Sequence, residues 1–171
     1  MAREIIKYPN PILTRKAEEI GEITPELRQL AADMAEVMYE KRGIGLAAPQ
    51  VGECCRLIAV DISGPDERTD LKFLVNPVIV HREGEIEEEE GCLSVVNFRA
   101  KVKRAEKVVV KARDLDGNDV EVPGEGLMAV CLQHEIDHLD GVLFIDHVSR
   151  LKRALYDSKV KKWLKAKKAD G

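Results

Sequence analysis

The sequence is poor in aromatic residues and has no long apolar segment. Only 4% of its 171 residues are Phe, Trp or Tyr, so the core of the fold must be mainly aliphatic. No apolar run approaches the roughly 20 residues of a membrane-spanning helix, which argues against a membrane protein. The first residues, Met1-Ala2-Arg3-Glu4, contain neither an apolar signal segment nor an Arg- and Ser-rich transit segment. We therefore expect the protein to stay in the cytosol.

Cysteine is also scarce, and no repeat or low-complexity linker divides the sequence. In a cytosolic chain, four cysteines favour metal ligation and packing over disulfides. The length is typical of one domain. We predict a single domain, with a catalytic core over residues 1–149 and a basic C-terminal helix or tail over residues 150–171.

The most informative segment is His134-Glu135-Ile136-Asp137-His138. Helix positions four apart lie on one face, so the two imidazoles can hold one divalent metal ion, and the glutamate can act as a base on water. Good helix formers precede the motif, while Pro123-Gly124 and Asp140-Gly141 mark the two ends of the helix. The pattern favours metal-assisted hydrolysis over two histidines that only happen to be four residues apart.

A catalytic metal site of this kind needs a third protein ligand. Phe144 occupies the position at which a metzincin protease has its third histidine, so the ligand must come from elsewhere. Five other side chains could bind a metal but are less suitable. His81 is expected on the surface, and the adjacent Cys54 and Cys55 are expected in the packing. Cys131 would require one straight helix to place three ligands around one ion, and nothing recommends His147. Cys92 remains, next to Gly91, which allows a close approach of the backbone. A thiolate ligand suits zinc or ferrous iron.

A further segment, Gly43-Ile44-Gly45-Leu46-Ala47-Ala48-Pro49-Gln50, is small and apolar and ends in an amide. Its glycines would let a substrate backbone lie alongside, and the Gln50 amide could donate a hydrogen bond to a developing oxyanion. Taken alone, the segment favours the ordinary interpretation, a glycine cap after a helix followed by a turn.

Taken together, Gly43–Gln50, Glu90–Ser94 and Gln133–Gly141 resemble the three signature motifs of the peptide deformylase family, in the family's order. The resemblance extends to three further parts of the chain, Tyr8–Leu13, Arg99 and Arg104–Val108. It implies a metal-dependent hydrolase that removes the N-formyl group from the N-terminal formyl-methionine of newly made polypeptides and releases formate.

The resemblance also implies roles for individual residues. The metal ligands that it implies are Cys92, His134 and His138. Glu135 is similar to the family's general acid and base, and Gln50 and the backbone N–H of Leu93 resemble its oxyanion donors. Substrate contacts are implied for Ile44, Gly45, Leu127, Val130, Cys131 and Arg99. One divalent metal ion per chain is implied, Fe²⁺ in vivo, with Zn²⁺ or Ni²⁺ as substitutes.

Two other functions share part of these features. A zinc endopeptidase would contain the same helix motif, but its third ligand is a His or Glu downstream rather than a cysteine upstream. A structural-zinc or RNA-binding module would explain the ligands and a basic tail, but it would leave Glu135 and Gln50 without a role.

Charge is unevenly distributed along the chain. Residues 150–171 contain nine Lys or Arg and two Asp, a net charge of +7, while the whole chain carries −4, so residues 1–149 carry −11. We predict a C-terminal helix with Val148, Leu151 and Leu155 on its apolar side. Such a basic segment is often only a solvated surface, or it binds nucleic acid. The family resemblance implies the ribosome, near its exit tunnel, as the partner.

The remaining pattern predicts an α+β fold, with antiparallel or mixed sheets packed around the motif helix. Thr24 and Pro25 are a good cap and first residue for a helix that ends near Gly43. Strands are predicted over Arg56–Asp61, Phe73–Val80, Lys107–Leu115 and Val120–Val122. Asp116-Gly117-Asn118 is a hairpin-type turn, and Ser63–Asp70 is predicted as a loop. An ion pair between Glu90 and Arg104 is also predicted.

Overall fold

The structure, a computed structural model, describes residues 3–170, with the side chains of residues 3–168. The strands are β1 Gly45–Ala47, β2 Leu57–Val60, β3 Lys72–Glu83, β4 Ile86–Cys92, β5 Val95–Arg104, β6 Lys107–Arg113 and β7 Asp119–Glu125. The α-helices are α1 Pro25–Glu40, α2 Gly64–Glu67, α3 Leu127–Leu139 and α4 Arg150–Asp170, and short 3₁₀ helices span Pro11–Thr14, Ala48–Val51 and Phe144–His147. The predictions made for Met1, Ala2 and Gly171 lie outside these residues. Within the described range, none of the helices has both the length and the apolar character needed to cross a membrane.

The strands form two antiparallel sheets. Five of them are arranged in the order β1-β2-β3-β6-β7, and β4 pairs with β5 in a separate hairpin. Asp114 and Asn118 close the turn between β6 and β7, and Gly117 supplies its positive φ of 85°. Antiparallel sheets combined with separate helices confirm the predicted α+β class.

Helix α1 follows the local rules that predicted it. The Thr24 side chain accepts a hydrogen bond from the Leu27 N–H at 3.1 Å, and Pro25 occupies the first turn. Its apolar stripe, which includes Met34 and Met38, is buried against β1 and β2. The helix ends at Glu40, three residues before Gly43.

Helix α3 contains the His134–His138 motif and lies across one face of the five-stranded sheet. Leu132 and Ile136 on this helix belong to the same apolar cluster as Ile58 and Val110 on the sheet. Nearly the whole helix is buried, including both histidines and Glu135. The functional side chains are therefore held in an environment from which bulk water is largely excluded.

Three strands and one α-helix were not predicted from the sequence. The four predicted strands are present as β2, β3, β6 and β7, but β1, β4 and β5 were missed, and the predicted loop over Ser63–Asp70 contains the short helix α2. Strand β1 has only three residues, too few to show a period. Strand β4 contains the run of four glutamates from Glu87 to Glu90, which hides the alternation typical of a strand.

The C-terminal helix is present, but the prediction of its apolar side was wrong for Leu151 and Leu155, whereas Val148 is partly buried but precedes α4. Leu151 and Leu155 are exposed, at 70% and 58%. The helix instead buries Tyr156 and Val160. The Tyr156 hydroxyl donates a hydrogen bond to the Val96 carbonyl at 2.9 Å, and its ring packs among aromatic side chains of the hairpin and the adjoining loops. This aromatic contact determines which side of α4 packs against the rest of the protein. The spacing of apolar residues along the helix does not predict it.

Candidate active site

Three potential metal ligands from two distant segments meet next to helix α3. Cys92 ends strand β4, where the pairing with β5 is shifted by a bulge after Gly91. His134 and His138 lie one turn apart on α3. One ligand atom from each residue lies within 4.8 Å of the other two, and Cys92 Sγ is 3.4 Å from His138 Nε2. Across residues 3–168, these three form the one group of His, Cys, Asp and Glu side chains close enough to share a metal ion.

The chemistry of these donors fits a divalent transition metal. One sulfur and two imidazole nitrogens suit zinc or ferrous iron, and three protein ligands leave a coordination position for water. The Nδ1–H of His134 donates to Glu90 Oε1 at 2.9 Å, which leaves Nε2 as the free donor atom. An imidazole held in this way by a carboxylate is typical of histidine ligands to zinc.

Glu90 is the buried centre of an ionic network around His134. It accepts hydrogen bonds from Arg104 Nε and from a terminal nitrogen of Arg104, both at 2.9 Å, which confirms the predicted ion pair. Burial alone would raise the pKa of this carboxyl, but the hydrogen bonds from Arg104 and His134 outweigh it and lower the pKa to about 2. Glu90 is therefore a carboxylate at every physiological pH.

Glu135 lies beside these three side chains, and its pKa is shifted in the opposite direction to that of Glu90. Its side chain is buried, and among the residues that the structure describes no donor reaches Oε1. Burial raises the pKa of this carboxyl to about 7, although the positive charges nearby oppose the shift. A carboxyl with its pKa near neutrality and an unpartnered oxygen is well suited to exchange protons with a substrate or with water.

The Gln50 amide is held in one orientation. Its Oε1 accepts a hydrogen bond from the Ala47 N–H at 2.9 Å, so that Nε2 must point the other way. Nε2 donates to Ser94 Oγ at 3.0 Å and lies 3.5 Å from Cys92 Sγ. The side chain is buried beside Cys92, and Gln50 is among the residues that line the cavity next to it. The ordinary interpretation of this segment, a glycine cap followed by a turn, was wrong: Arg42, with φ 60°, and not Gly43 has the left-handed conformation after α1, and the segment continues as β1 and the 3₁₀ helix Ala48–Val51.

A cavity of about 720 Å³ opens onto this group. All the residues for which sequence resemblance implied substrate contacts line it, namely Ile44, Gly45, Leu127, Val130, Cys131 and Arg99. Leu93, Gln50 and Glu135 line it as well. The sequence reasoning missed five further lining residues, Arg42, Glu89, Val95, Asn97 and Phe98. These residues lie close to the motifs in the sequence, but their residue types gave no indication that they line the cavity.

Gly45 fits where no larger residue would. A Cβ atom at this position would lie 2.6 Å from Glu135 Oε2 and 2.8 Å from Cys131 Sγ. The close approach brings the β1 backbone directly against the carboxylate.

Replacing Gly45 by alanine should therefore displace the Glu135 carboxylate. Because a misplacement of about 1 Å can cost roughly 10²-fold in rate, we expect a fall in kcat of that order. The control is Gly21→Ala, since no atom lies within 4 Å of the Cβ that it would add. Steady-state kinetics on both variants, with circular dichroism to check folding, will measure the difference. Equal kcat values for the two variants would contradict this assignment of Gly45.

The α+β fold, together with a cysteine and two helical histidines that could hold a divalent metal ion, is typical of a metal-dependent hydrolase. The family model for polypeptide deformylase matches residues 2–154. A peptide deformylase of Acidobacterium capsulatum is 52% identical over 97% of this chain and 98% of its own. One of Thermodesulfovibrio yellowstonii is 52% identical over 92% and 96%. The structure of a peptide deformylase from Legionella pneumophila is 44% identical, covers 98% of both chains and superposes with a TM-score of 0.91.

The chain therefore belongs to the peptide deformylase family, whose members are metal-dependent hydrolases that remove the N-formyl group from nascent polypeptides. The peptide deformylase of Ehrlichia chaffeensis in complex with actinonin has the same fold, with a TM-score of 0.87 at 34% identity over 94% of this chain and 96% of its own. The two alternatives considered from the sequence, an endopeptidase and a structural-zinc or RNA-binding module, gain no support from these relatives.

Proposed function

We propose that this chain removes the formyl group with a catalytic unit made of Cys92, His134 and His138 as metal ligands and Glu135 as general base and acid. The observation that carries the proposal is the convergence of the three ligands beside a buried carboxylate with an unpartnered oxygen, at the floor of a cavity. A divalent cation held there would act as a Lewis acid and lower the pKa of a water molecule.

The protein side chains supply the remaining steps. Glu135 takes a proton from the attacking water, and the nucleophile adds to the formyl carbon. Gln50 Nε2 and the backbone N–H of Leu93 donate hydrogen bonds to the oxyanion that forms. The C–N bond then breaks, Glu135 gives its proton to the leaving nitrogen, and formate and a free N-terminal amine are released.

The methionine side chain of the substrate would occupy the apolar part of the cavity. Ile44, Leu127, Val130 and Cys131 line this part, and we propose that the backbone of Gly45, which also lines the cavity, contacts the substrate. Arg99 lies at the rim, where its guanidinium is paired with Glu89 at 2.7 Å. We propose that Arg99 contacts the substrate beyond the methionine.

Release of formate from a formyl-Met peptide tests the proposal directly. The matched substrate is an N-acetylated peptide of the same sequence that an endopeptidase could cleave internally. We expect formate from the first and no cleavage of the second. Internal cleavage of the acetylated peptide without formate release would favour an endopeptidase.

Replacing Gln50 by alanine should lower kcat without removing the metal. Loss of one oxyanion donor costs about 10²–10³ in rate, and we expect a fall in that range. Gln29 offers a control, since its amide bonds to Asp33 on α1, away from the site. Formate release and metal content are measured for Gln50→Ala and Gln29→Ala, which distinguishes the loss of the oxyanion donor from a loss of metal. An unchanged kcat in Gln50→Ala would remove this amide from the mechanism.

We also propose Fe²⁺ as the metal in vivo, with Zn²⁺ or Ni²⁺ able to replace it. The mixed sulfur and nitrogen donor set accepts all three. Anaerobic purification followed by metal analysis and formate assay identifies the ion. The highest activity per metal with Zn²⁺ would overturn the preference for iron.

Helix α4 is proposed as a docking site for the ribosome, the source of formylated nascent chains in the cytosol. The lysines from Lys159 to Lys168 are exposed along its second half, and the segment carries the net charge of +7 described above. An RNA-rich surface would attract such a segment electrostatically.

Reversing two of these charges should weaken ribosome binding. Since each exposed ionic contact contributes up to about 1 kcal/mol, we expect the dissociation constant of Lys162→Glu/Lys165→Glu to rise roughly tenfold at low salt. Lys16→Glu/Lys111→Glu, a pair of exposed lysines outside α4, has the same net charge and is the control. Co-sedimentation at several salt concentrations measures both. Equal binding by the two variants would exclude α4 as the dock.

A further inference from the structure

A chain of polar contacts runs from the protein surface to the proposed metal ligand His134. His147 Nε2 lies 3.0 Å from Asp137 Oδ2, and Arg104 donates to the same oxygen at 2.6 Å. The other nitrogens of Arg104 hold Glu90, which accepts the hydrogen bond of His134 Nδ1. Four contacts therefore link His147 to the imidazole that faces the metal site.

Exposure decreases steadily along this chain. The side chain of His147 is 39% exposed and that of Asp137 27%, whereas those of Arg104 and Glu90 are both 5% exposed. His147 and Asp137 line a second cavity of about 420 Å³, separate from the substrate cavity, next to the turn between β3 and β4. His147 is thus the outermost member of the network. Among the contacts that the structure describes for Asp137 and Arg104, it is the only group that comes from the segment after α3.

The geometry of Arg104 explains how a remote group can influence the ligand. A guanidinium is planar and rigid, so fixing one terminal nitrogen against Asp137 also fixes the two nitrogens that hold Glu90. The bond from His147 is a second restraint on the partly exposed Asp137 side chain, which Arg104 also holds. Without it, only the contact with Arg104 positions Asp137, and the orientation of the Arg104–Glu90 pair is less well defined.

We propose that His147 is a positioning residue for the metal centre: by donating a hydrogen bond to Asp137, it orients Arg104 and Glu90 and thereby the imidazole of His134. It touches neither substrate nor metal. The inference rests on the proposed metal site. The experiment must therefore distinguish a failure of the inference from a failure of that site.

The experiment compares three variants by their affinity for Zn²⁺ and by the visible absorption of their Co²⁺-loaded forms. His147→Leu removes the donor. His147→Gln keeps an N–H donor near the position of Nε2. His81→Leu is the control, because His81 is an exposed residue of β3 whose nearest ionic group is Glu83 at 3.7 Å. Zn²⁺ affinity is measured by competition with a chromophoric chelator, and thermal unfolding is recorded for each protein.

We expect His147→Leu to weaken Zn²⁺ binding about tenfold, the lower end of the range for partners of metal ligands, and to change the Co²⁺ spectrum. His147→Gln and His81→Leu should remain close to the unmodified protein in both measurements. A lower melting temperature in His147→Leu, with unchanged Zn²⁺ affinity and unchanged Co²⁺ spectrum, would show a merely structural role and overturn the inference. Failure of the unmodified protein to bind Zn²⁺ or Co²⁺ would instead overturn the metal site itself.

Discussion

Glu135→Gln should retain its metal and lose nearly all turnover. Glutamine has almost the same shape, so the packing against Gly45 is preserved, but it can neither take a proton from water nor return one to the leaving nitrogen. General acid–base catalysis contributes roughly 10²–10⁴ in rate, and we expect kcat to fall within that range. The measurements are initial rates of formate release and the metal content per chain.

A matched control separates this effect from the loss of a negative charge. Glu88→Gln removes one charge from the exposed side of β4, outside the cavity, and should leave kcat unchanged. If Glu135→Gln kept substantial activity with full metal content, the general base would have to be another group.

Cys92→Ser should lose both metal and activity. A serine hydroxyl is a poorer ligand than a thiolate for the metals that this donor set favours, and only two histidines would remain. A bound metal ion supplies several kcal/mol of transition-state stabilisation, and about 1.4 kcal/mol corresponds to a factor of ten, so we expect a loss on the order of 10³-fold or more. Metal analysis after dialysis and formate release measure the two effects.

Another cysteine provides the comparison. Cys54 is partly exposed, and its thiol contacts the Lys16 carbonyl, outside the group of ligands. Cys54→Ser should therefore keep its metal and its rate. Full metal content in Cys92→Ser would remove this thiolate from the ligand set and leave the third ligand to be found.

Helices α1 and α3 could be predicted because their signals are local. The cap at Thr24 and the proline after it determine where α1 begins, and the spacing of His134 and His138 already requires a helix for α3. Residue type and spacing also singled out Cys92, His134 and His138, and the structure brings their ligand atoms within 4.8 Å of one another. Their role as metal ligands stays a prediction.

Features that depend on tertiary contacts could not be predicted in this way. The exposure of Leu151 and Leu155 depends on the aromatic side chains that bind Tyr156, and these come from distant parts of the chain. The contact of His147 with Asp137 spans only ten residues, but it depends on the turn after α3 and on the 3₁₀ helix Phe144–His147, which bring the imidazole back against α3. Sequence spacing alone indicates no role for His147.

The origin of the ligands in two separate units has a thermodynamic consequence. Cys92 belongs to the two-stranded hairpin, whereas His134 and His138 belong to the helix packed on the five-stranded sheet. An ion bound by all three would act as a noncovalent cross-link between these units, and its binding free energy would be coupled to their association by mass action. Chelation should therefore loosen the hairpin before the sheet, and amide hydrogen exchange in β4 and β5 should accelerate first.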